Sequence, residues 1–569
     1  MIYLSVINFQ SATIRNSMPT QLKQSWSIIG FAALVSTVLL TTFYRLKFGT
    51  INQDEGYYLS LVYRMSLGDI GRLHTITDLF ALLIFPITSL IVGVSSELES
   101  FVLYSRYCYW GFTLLIGLII FFSLKKYIDP KIAFIVSLFY PSYLHYYPVL
   151  FYTNLGVGFF TISLFLSLWA LAPPLKSKLI VLIGVSFGFS IISHVGGTPF
   201  AFVAYGAALV LRMGYRNKII IYLISGIMLS ALIFPLFSGI TFSVLKESIE
   251  HYLVLSKKTG IPVSSNKFLM LIRWLYDCSP FNGFNIFGCL GFFYLHKKNK
   301  KWAGLFLTFL FIPIVYFIAV RGMGNPTSVF GFKAMDGGAA GIIRYLSFCG
   351  FLFYLLIEKT AIIKNLFYLI WLPSLVMAMS LSFTSNTLSG NLGIGLMPAF
   401  IVSSVFLVFF IKEMLPNHPF LSYVPLVLIL GGLLFLQFAG VDKNNLEKVV
   451  RGPHSGIYLT QNMKELSETL SQALKTNHFT SKGRIYFQDS PLMGYSYLYS
   501  QQKPGVPTTW GCFIGEDLCK KLEEPFNDEI MTVVSFNNTL LDKNLFKDFE
   551  KISEFKGIQV FQKKNHKNL

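Results

Sequence analysis

The chain has 569 residues, 53% of them hydrophobic and only 13% charged. A soluble protein carries about 25% charged residues, so this composition excludes an ordinary water-soluble enzyme. The formal net charge is +19, but the excess lies in short loops between apolar runs. No Lys/Arg stripe with interleaved aromatics is present, which excludes nucleic acid as a partner.

Residues 1–26 form a polar tail carrying Arg15 and Lys23, and the start of translation is either Met1 or Met18. The apolar run 27–43 lacks a small-residue cleavage site and reads as an uncleaved first span. A span needs about 20 mostly apolar residues, with about 17 as the lower bound. Runs near that length lie at 27–43, 103–124, 132–147, 151–171, 179–192, 198–211 and 219–237. Others lie at 284–295, 302–320, 342–357, 366–383, 392–411 and 420–438, which makes about thirteen. With the N-terminus inside, the inner loops carry Lys125, Lys126, Lys131, Lys176, Lys178, Arg212, Arg216 and Lys218. Further along they carry Lys297, Lys298, Lys300, Lys301, Lys359, Lys364 and Lys412. The outer turns around Pro148, Gly196 and Ser385 are almost free of Lys and Arg, as the positive-inside rule requires. Thirteen spans then put residues 440–569, whose polarity is ordinary, outside the cytoplasm.

Three outer segments are long, at 45–102, 238–283 and 321–341, and long polar loops concentrate function. Within the first, 79–94 is apolar but interrupted by Pro86, and reads as a helix lying in or re-entering the interface. In the tail, 463–474 has helical periodicity, while 484–488, 530–534 and 558–561 read as short strands. The expected architecture is an all-α polytopic domain over 27–439 followed by a small α/β domain over 440–569. The expected site is the plasma or inner membrane of a bacterium. The six cysteines include no CxxC pair; Cys108, Cys278, Cys289 and Cys349 read as packing residues. Cys512 and Cys519 lie in a compartment where disulfides persist, and a bridge between them is expected.

The first outer loop carries Asn52-Gln53-Asp54-Glu55-Gly56-Tyr57-Tyr58. Tyr58, Leu61, Val62 and Met65 follow at helical spacing, and Gly68 can end the helix. Two acids at a helix start are favoured by the helix dipole whether or not they have a further role.

The set Asp54-Glu55-Gly56-Tyr57-Tyr58…Arg64-Met65…Gly68-Asp69 resembles the GT-C superfamily of integral membrane glycosyltransferases. The branch it looks like contains the protein O-mannosyltransferases and the lipid A aminoarabinose transferase. Arg106 near the second span, Phe151-Tyr152-Thr153-Asn154 opening the fourth and Arg344-Tyr345 opening the tenth are similar to residues of that family. The resemblance implies a polyprenyl-phosphate sugar donor and an extracytoplasmic lipid, glycan or protein acceptor. It makes Asp54 the base that takes the acceptor proton, and Glu55 the group that orients it or binds a sugar hydroxyl. Tyr57, Asn154, His194 and Tyr345 become substrate-binding candidates. Arg321, Lys333 and Arg344, in or beside the last long outer loop, suit the leaving phosphate. Two positions depart from the family: Asn154 stands where an acid is expected, and His194 falls where relatives often have Lys. The missing acid reduces the case for a bound Mg²⁺ or Mn²⁺, which needs hard oxygen ligands.

Two other functions fit part of this pattern. A transporter or flippase of a lipid-linked glycan shares the many spans and cationic outer loops. It would place ionisable residues near mid-membrane, where these runs have almost none. No internal repeat supports a two-half transporter. A non-catalytic relative is compatible with Asn154.

Overall fold

The computed structural model describes residues 20–49, 53–69, 79–94, 98–144, 148–171, 177–194, 197–213, 216–238, 246, 338–384, 392–438, 445–475, 483–488, 490, 492, 494–504, 530–536 and 547–564. The expected spans at 284–295 and 302–320 lie outside the described residues, as do Arg321, Lys333, Cys512 and Cys519. The apolar runs that are described fold as helices. In a bilayer no water serves the backbone, so each N–H and C=O must be satisfied within the segment.

The helices are α1 (Thr20–Arg45), α2 (Gln53–Ser66), α3 (Phe80–Val94), α4 (Phe101–Leu124), α5 (Pro130–Ser137), α6 (Phe139–Ser142), α7 (Tyr152–Ala170) and α8 (Ser177–Ser193). They continue with α9 (Thr198–Met213), α10 (Arg216–Ser238), α11 (Gly338–Leu356), α12 (Ala361–Leu366), α13 (Leu372–Thr384), α14 (Leu392–Gly395), α15 (Met397–Met414) and α16 (Val424–Leu436). Among the described residues, five helical segments are long and apolar enough to cross a membrane: Phe101–Leu124, Tyr152–Ala170, Ala339–Leu356, Ala361–Ser382 and Met397–Met414. The protein is therefore an integral membrane protein with a predominantly helical body. α7 and α15 are buried along most of their length and form the centre of the bundle. α4 and α10 turn Leu115, Leu118, Ile221 and Leu232 outward. Small residues bring α8 and α10 together: a Cβ at Gly184 would stand 2.4 Å from the Leu223 carbonyl oxygen.

One expected span is broken and another is offset. The run 132–147 becomes α5 and α6, which together cover 130–142 and are about 20 Å long, short of a bilayer core. Pro141 supplies no backbone N–H there, and the helix ends at Ser142. The run 392–411 divides at Leu396, because Pro398 opens α15 as a first-turn proline. The expected interfacial helix is α3, with Pro86 inside it and Leu90 and Val94 exposed.

The basic loops gather at one end of the bundle. Tyr423 donates to Asp129 Oδ2 at 2.8 Å, Lys126 lies over the Trp169 ring, Arg212 donates to Asn365, and the Glu358 N–H donates to Glu413. α4 runs from the C-terminal domain, where the Val102 N–H donates to the Pro453 carbonyl, to Lys125 at the basic end. Its 24 residues separate those ends by about 36 Å.

The C-terminal domain contains a short antiparallel pair, β1 (Leu446–Lys448) with β2 (Tyr458–Thr460), followed by α17 (Gln461–Lys475). A mixed sheet follows, built from β3 (Arg484–Gln488), β4 (Lys503–Pro504), β5 (Ile530–Ser535), β6 (Phe549–Phe555) and β7 (Ile558–Lys563) in the order β4-β3-β5-β7-β6. α18 (Gly494–Ser500) lies between β3 and β4 in sequence. The expected helix and three expected strands are present; β1, β2, β4, β6 and α18 are additions. The apolar packing forms two large clusters. One fills the bundle, and the other joins Tyr57, Tyr58, Leu61, Val62 and Met65 of α2 to Leu470, Ile485, Tyr495 and Val560 of the C-terminal domain.

Candidate functional site at the acidic helix

α2 begins at Gln53 and ends as expected: Gly68 takes φ +77° and its N–H bonds to the Met65 carbonyl. Asp54 lies in the first turn of this helix, and its side chain is outside the described residues.

Glu55, next in the helix, is buried and fully engaged. Arg106 of α4 donates from Nε to Oε1 and from an Nη to Oε2, both at 2.7 Å, a two-pronged charge-assisted pair. Tyr495 of α18 donates its hydroxyl to Oε2 at 2.6 Å, and Arg106 also donates to the Leu46 carbonyl at 3.0 Å. Burial pushes the Glu55 pKa up, but the charge and hydrogen bonds of Arg106 outweigh it and hold the carboxyl below its usual range. Glu55 thus joins the start of α2 to both the bundle and the C-terminal domain.

His454 lies beside this pair, with its ring centroid 4.5 Å from that of Tyr495 and its Nδ1 2.8 Å from the Tyr499 hydroxyl. Burial holds its pKa down at about 3, so the ring is neutral. At the other end of α2, Asp69 accepts from Arg64 Nε at 2.6 Å and from two nitrogens of Arg484 at 2.9 Å each. Burial opposes ionisation of Asp69, but these arginines prevail and lower its pKa to about 2.

The aromatic face of α2 rests on the start of α7. Tyr58 stacks on Phe151 with centroids 4.9 Å apart and meets Tyr152 edge-on, while Tyr152 lies 5.1 Å from the His194 ring. Tyr57 packs edge-on against Tyr58. Asn154, in the first turn of α7, donates from Nδ2 to the Val149 carbonyl at 2.7 Å. His194 follows α8, and its Nδ1 accepts from the Gly197 N–H at 3.0 Å, which assigns the remaining proton to Nε2. Glu55, Tyr57, Asn154 and His194 are therefore brought to one end of the bundle, beneath α2. Arg344 and Tyr345 sit in the second turn of α11; both are buried, and Tyr345 belongs to the bundle core rather than to the cluster shared by α2 and the C-terminal domain.

Among the described residues no group of three or more His, Cys, Asp or Glu side chains could hold a metal ion. The Glu55 and Asp69 oxygens are taken by cations, and Asn154 is turned to a carbonyl. Among the described residues, Glu55 and Asp69 are thus committed to protein cations rather than open to a metal ion.

Sequence reasoning singled out Arg106 but not Tyr495, His454 or Arg484. The only local signal for Tyr495 is its glycine neighbour. A Cβ at Gly494 would stand 2.5 Å from the Gly56 carbonyl carbon, and one at Gly56 would stand 2.6 Å from the Tyr495 ring. Each glycine lets the other helix approach.

No family model matches the chain, and no curated protein does. Solved structures are similar to it at low identity. Oligosaccharyltransferase AglB from Archaeoglobus fulgidus, in complex with an inhibitory peptide and a dolichol-phosphate, is 11% identical, with 90% of this chain and 70% of that chain covered and a TM-score of 0.47. ArnT from Cupriavidus metallidurans, bound to undecaprenyl phosphate, is 11% identical, with 94% and 98% covered and a TM-score of 0.48. The Archaeoglobus fulgidus oligosaccharyltransferase in complex with Zn and sulfate is 12% identical, with 88% and 68% covered and a TM-score of 0.45. These neighbours are GT-C superfamily membrane glycosyltransferases.

Proposed function

We propose that the chain is a membrane glycosyltransferase that moves a sugar from a polyprenyl-phosphate donor to an extracytoplasmic lipid, glycan or protein acceptor, with inversion. The observation that carries this reading is the acidic helix itself: Glu55, locked by Arg106 and Tyr495, fixes the start of α2 and with it the backbone of Asp54. This happens at the end of the bundle away from the basic loops. By the positive-inside rule the basic end faces the cytoplasm, which supports an outer location for α2 and residues 440–569. A lipid-phosphate head group would lie at that surface.

In the proposed reaction an acceptor hydroxyl attacks the anomeric carbon from the face opposite the phosphate. The new glycosidic C–O bond forms as the bond to the phosphate oxygen breaks. Asp54 takes the hydroxyl proton, and the polyprenyl phosphate leaves as an anion. Arg344, with Arg321 and Lys333 from the preceding loop, is assigned to that growing charge. Tyr57, Asn154, His194 and Tyr345 are assigned to sugar and head-group contacts.

The test is release of polyprenyl phosphate from short-chain polyprenyl-phosphate esters of mannose, glucose, galactose and arabinose, with native membranes added to supply the acceptor hydroxyl. Asp54→Asn keeps size and helix-start preference yet removes the base, and should lower the rate about 10²–10⁴-fold. Full activity of that variant would overturn the mechanism. The hydrogen bond that commits Asn154 to Val149 favours one other reading, a non-catalytic relative, for which wild type would release nothing from any donor.

A further inference from the structure

α2 is fixed at two points, and only one of them depends chiefly on the membrane bundle. At its start, Arg106 of α4 holds Glu55 by a fork, and Tyr495 adds a hydroxyl from the C-terminal domain. Just past its end, Asp69 is held by Arg484, which reaches from β3 with two hydrogen bonds of 2.9 Å while also donating to the Pro504 carbonyl at 2.8 Å. Arg64 of α2 grips the same carboxylate at 2.6 Å, so the helix, its terminal turn and β3 share one buried cluster. The fourteen residues of α2 span about 21 Å. A helix held at one end can pivot; held at both, its tilt and rotation are set. Between the two points the Gly56–Gly494 approach puts α2 and α18 in backbone contact, leaving no slack for a side chain.

We infer that the C-terminal domain clamps the Asp54-bearing helix, with Arg484 and Tyr495 as positioning residues for glycosyl transfer. The kinetic half of this inference rests on the transferase reading above; the mechanical half does not. Neither residue needs to touch substrate. Each acts through a carboxylate of the first outer loop, Tyr495 through Glu55 and Arg484 through Asp69. Both ties are desolvated, so their hydrogen bonds to charged groups act with little screening.

The test uses the full chain in detergent micelles, with Tyr495→Phe and Arg484→Gln compared with wild type. Lys464→Ala, which removes an exposed pair with Glu447, serves as the control. Hydrogen exchange of the backbone amides of 56–66 should quicken about tenfold in Tyr495→Phe, as loss of one charged hydrogen bond predicts, and at least as much in Arg484→Gln, which removes a buried charge and its two bonds to Asp69. Exchange in 152–170 should not change. The kcat for polyprenyl-phosphate release should fall about tenfold, with the donor KM within about twofold. In an Asp54→Asn background Tyr495→Phe should cost almost nothing further, because the group being positioned is gone. Unchanged exchange in 56–66 would overturn the clamp, whatever the activity does. Faster exchange with full kcat would overturn the positioning role. A matched rise in 56–66 and 152–170 would show general loosening and would also overturn it. If wild type transfers no sugar from any donor, the transferase reading and the kinetic half fall together, while the exchange measurement still decides whether the domain holds the helix.

Discussion

Glu55→Gln should separate a buried structural charge from a catalytic one. The carboxylate accepts two hydrogen bonds from Arg106 and one from Tyr495, and Glu55 and Arg106 are each only 2% exposed. Glutamine has the same shape but one oxygen, and its amide N–H groups would face the guanidinium. The variant therefore loses one prong of the fork and leaves Arg106 charged without a counterion. Removing one partner of a buried ion pair costs about 3–5 kcal/mol. At about 1.4 kcal/mol per tenfold, the lower figure raises the population of molecules with this contact open by about two orders of magnitude. Native-state proteolysis of the C-terminal domain, under conditions where opening is faster than cleavage, reads that population directly. Adding Arg106→Met to Glu55→Gln should restore much of the protection, with a coupling energy of at least about 2 kcal/mol. Per folded molecule, Glu55→Gln should lose less transfer activity than Asp54→Asn. Equal cleavage of wild type and Glu55→Gln would refute the reasoning, because an exposed or unpaired Glu55 would tolerate the change.

Two further outcomes concern other groups of the chain. His454 has a folded-state pKa of about 3, below its ordinary 6.5, so between those values the unfolded chain binds a proton that the folded one does not. Stability is therefore full above about pH 6.5 and falls as the pH drops towards 3, by up to about 1.4 kcal/mol per pH unit. Proteolysis of the C-terminal domain should accelerate across that window, and His454→Phe should flatten the response above pH 4, where Asp69 is still ionised. The expected Cys512–Cys519 bridge would stabilise by about 2–3 kcal/mol on the loop-entropy model. Alkylation under denaturing, non-reducing conditions should leave both cysteines unlabelled; labelling of both would remove the bridge and the support it lends to an oxidising compartment.

What was legible in the sequence follows from what is periodic or local. The long apolar runs among the described residues became helices because a helix satisfies its own backbone in lipid, and Gly68 closed α2 because only a left-handed residue fits there. The strands at 484–488, 530–535 and 558–563 were legible because short β-rich runs between polar segments have few alternatives. The break at 132–147 was not, because hydropathy averages over Pro141 while the helix cannot. The site was half legible. Arg106 and Glu55 were each noticed, but their pairing spans 51 residues, and Tyr495 reaches Glu55 across 440. A salt bridge at that separation leaves no spacing to read. Asp69 looked like a motif ending, and its two arginines, one five residues before it and one 415 after, show it to be a joint.

Polarity and packing divide this chain differently, and the reason lies in the solvent. Composition changes near residue 440, where long apolar runs give way to sequence of ordinary polarity. The apolar cluster that contains α2 crosses that boundary, joining α2 to the C-terminal domain. α2, too short to span a bilayer, carries an apolar stripe of Tyr58, Leu61, Val62 and Met65 that is buried in the fold. Burying such side chains stabilises by about 1.5–3 kcal/mol each, so the stripe demands a protein partner. Phe151 and Tyr152 cover part of it from the bundle, and Tyr495, Ile485 and Val560 belong to the cluster that closes over the rest. The charged ties at Glu55 and Asp69 then set the register of a surface that apolar contact alone would let slide. A mobile helix would serve a binding loop well enough, but the base of the proposed mechanism, which must meet one hydroxyl at one distance, would need its helix held, and two buried carboxylates with three arginines tie this helix down.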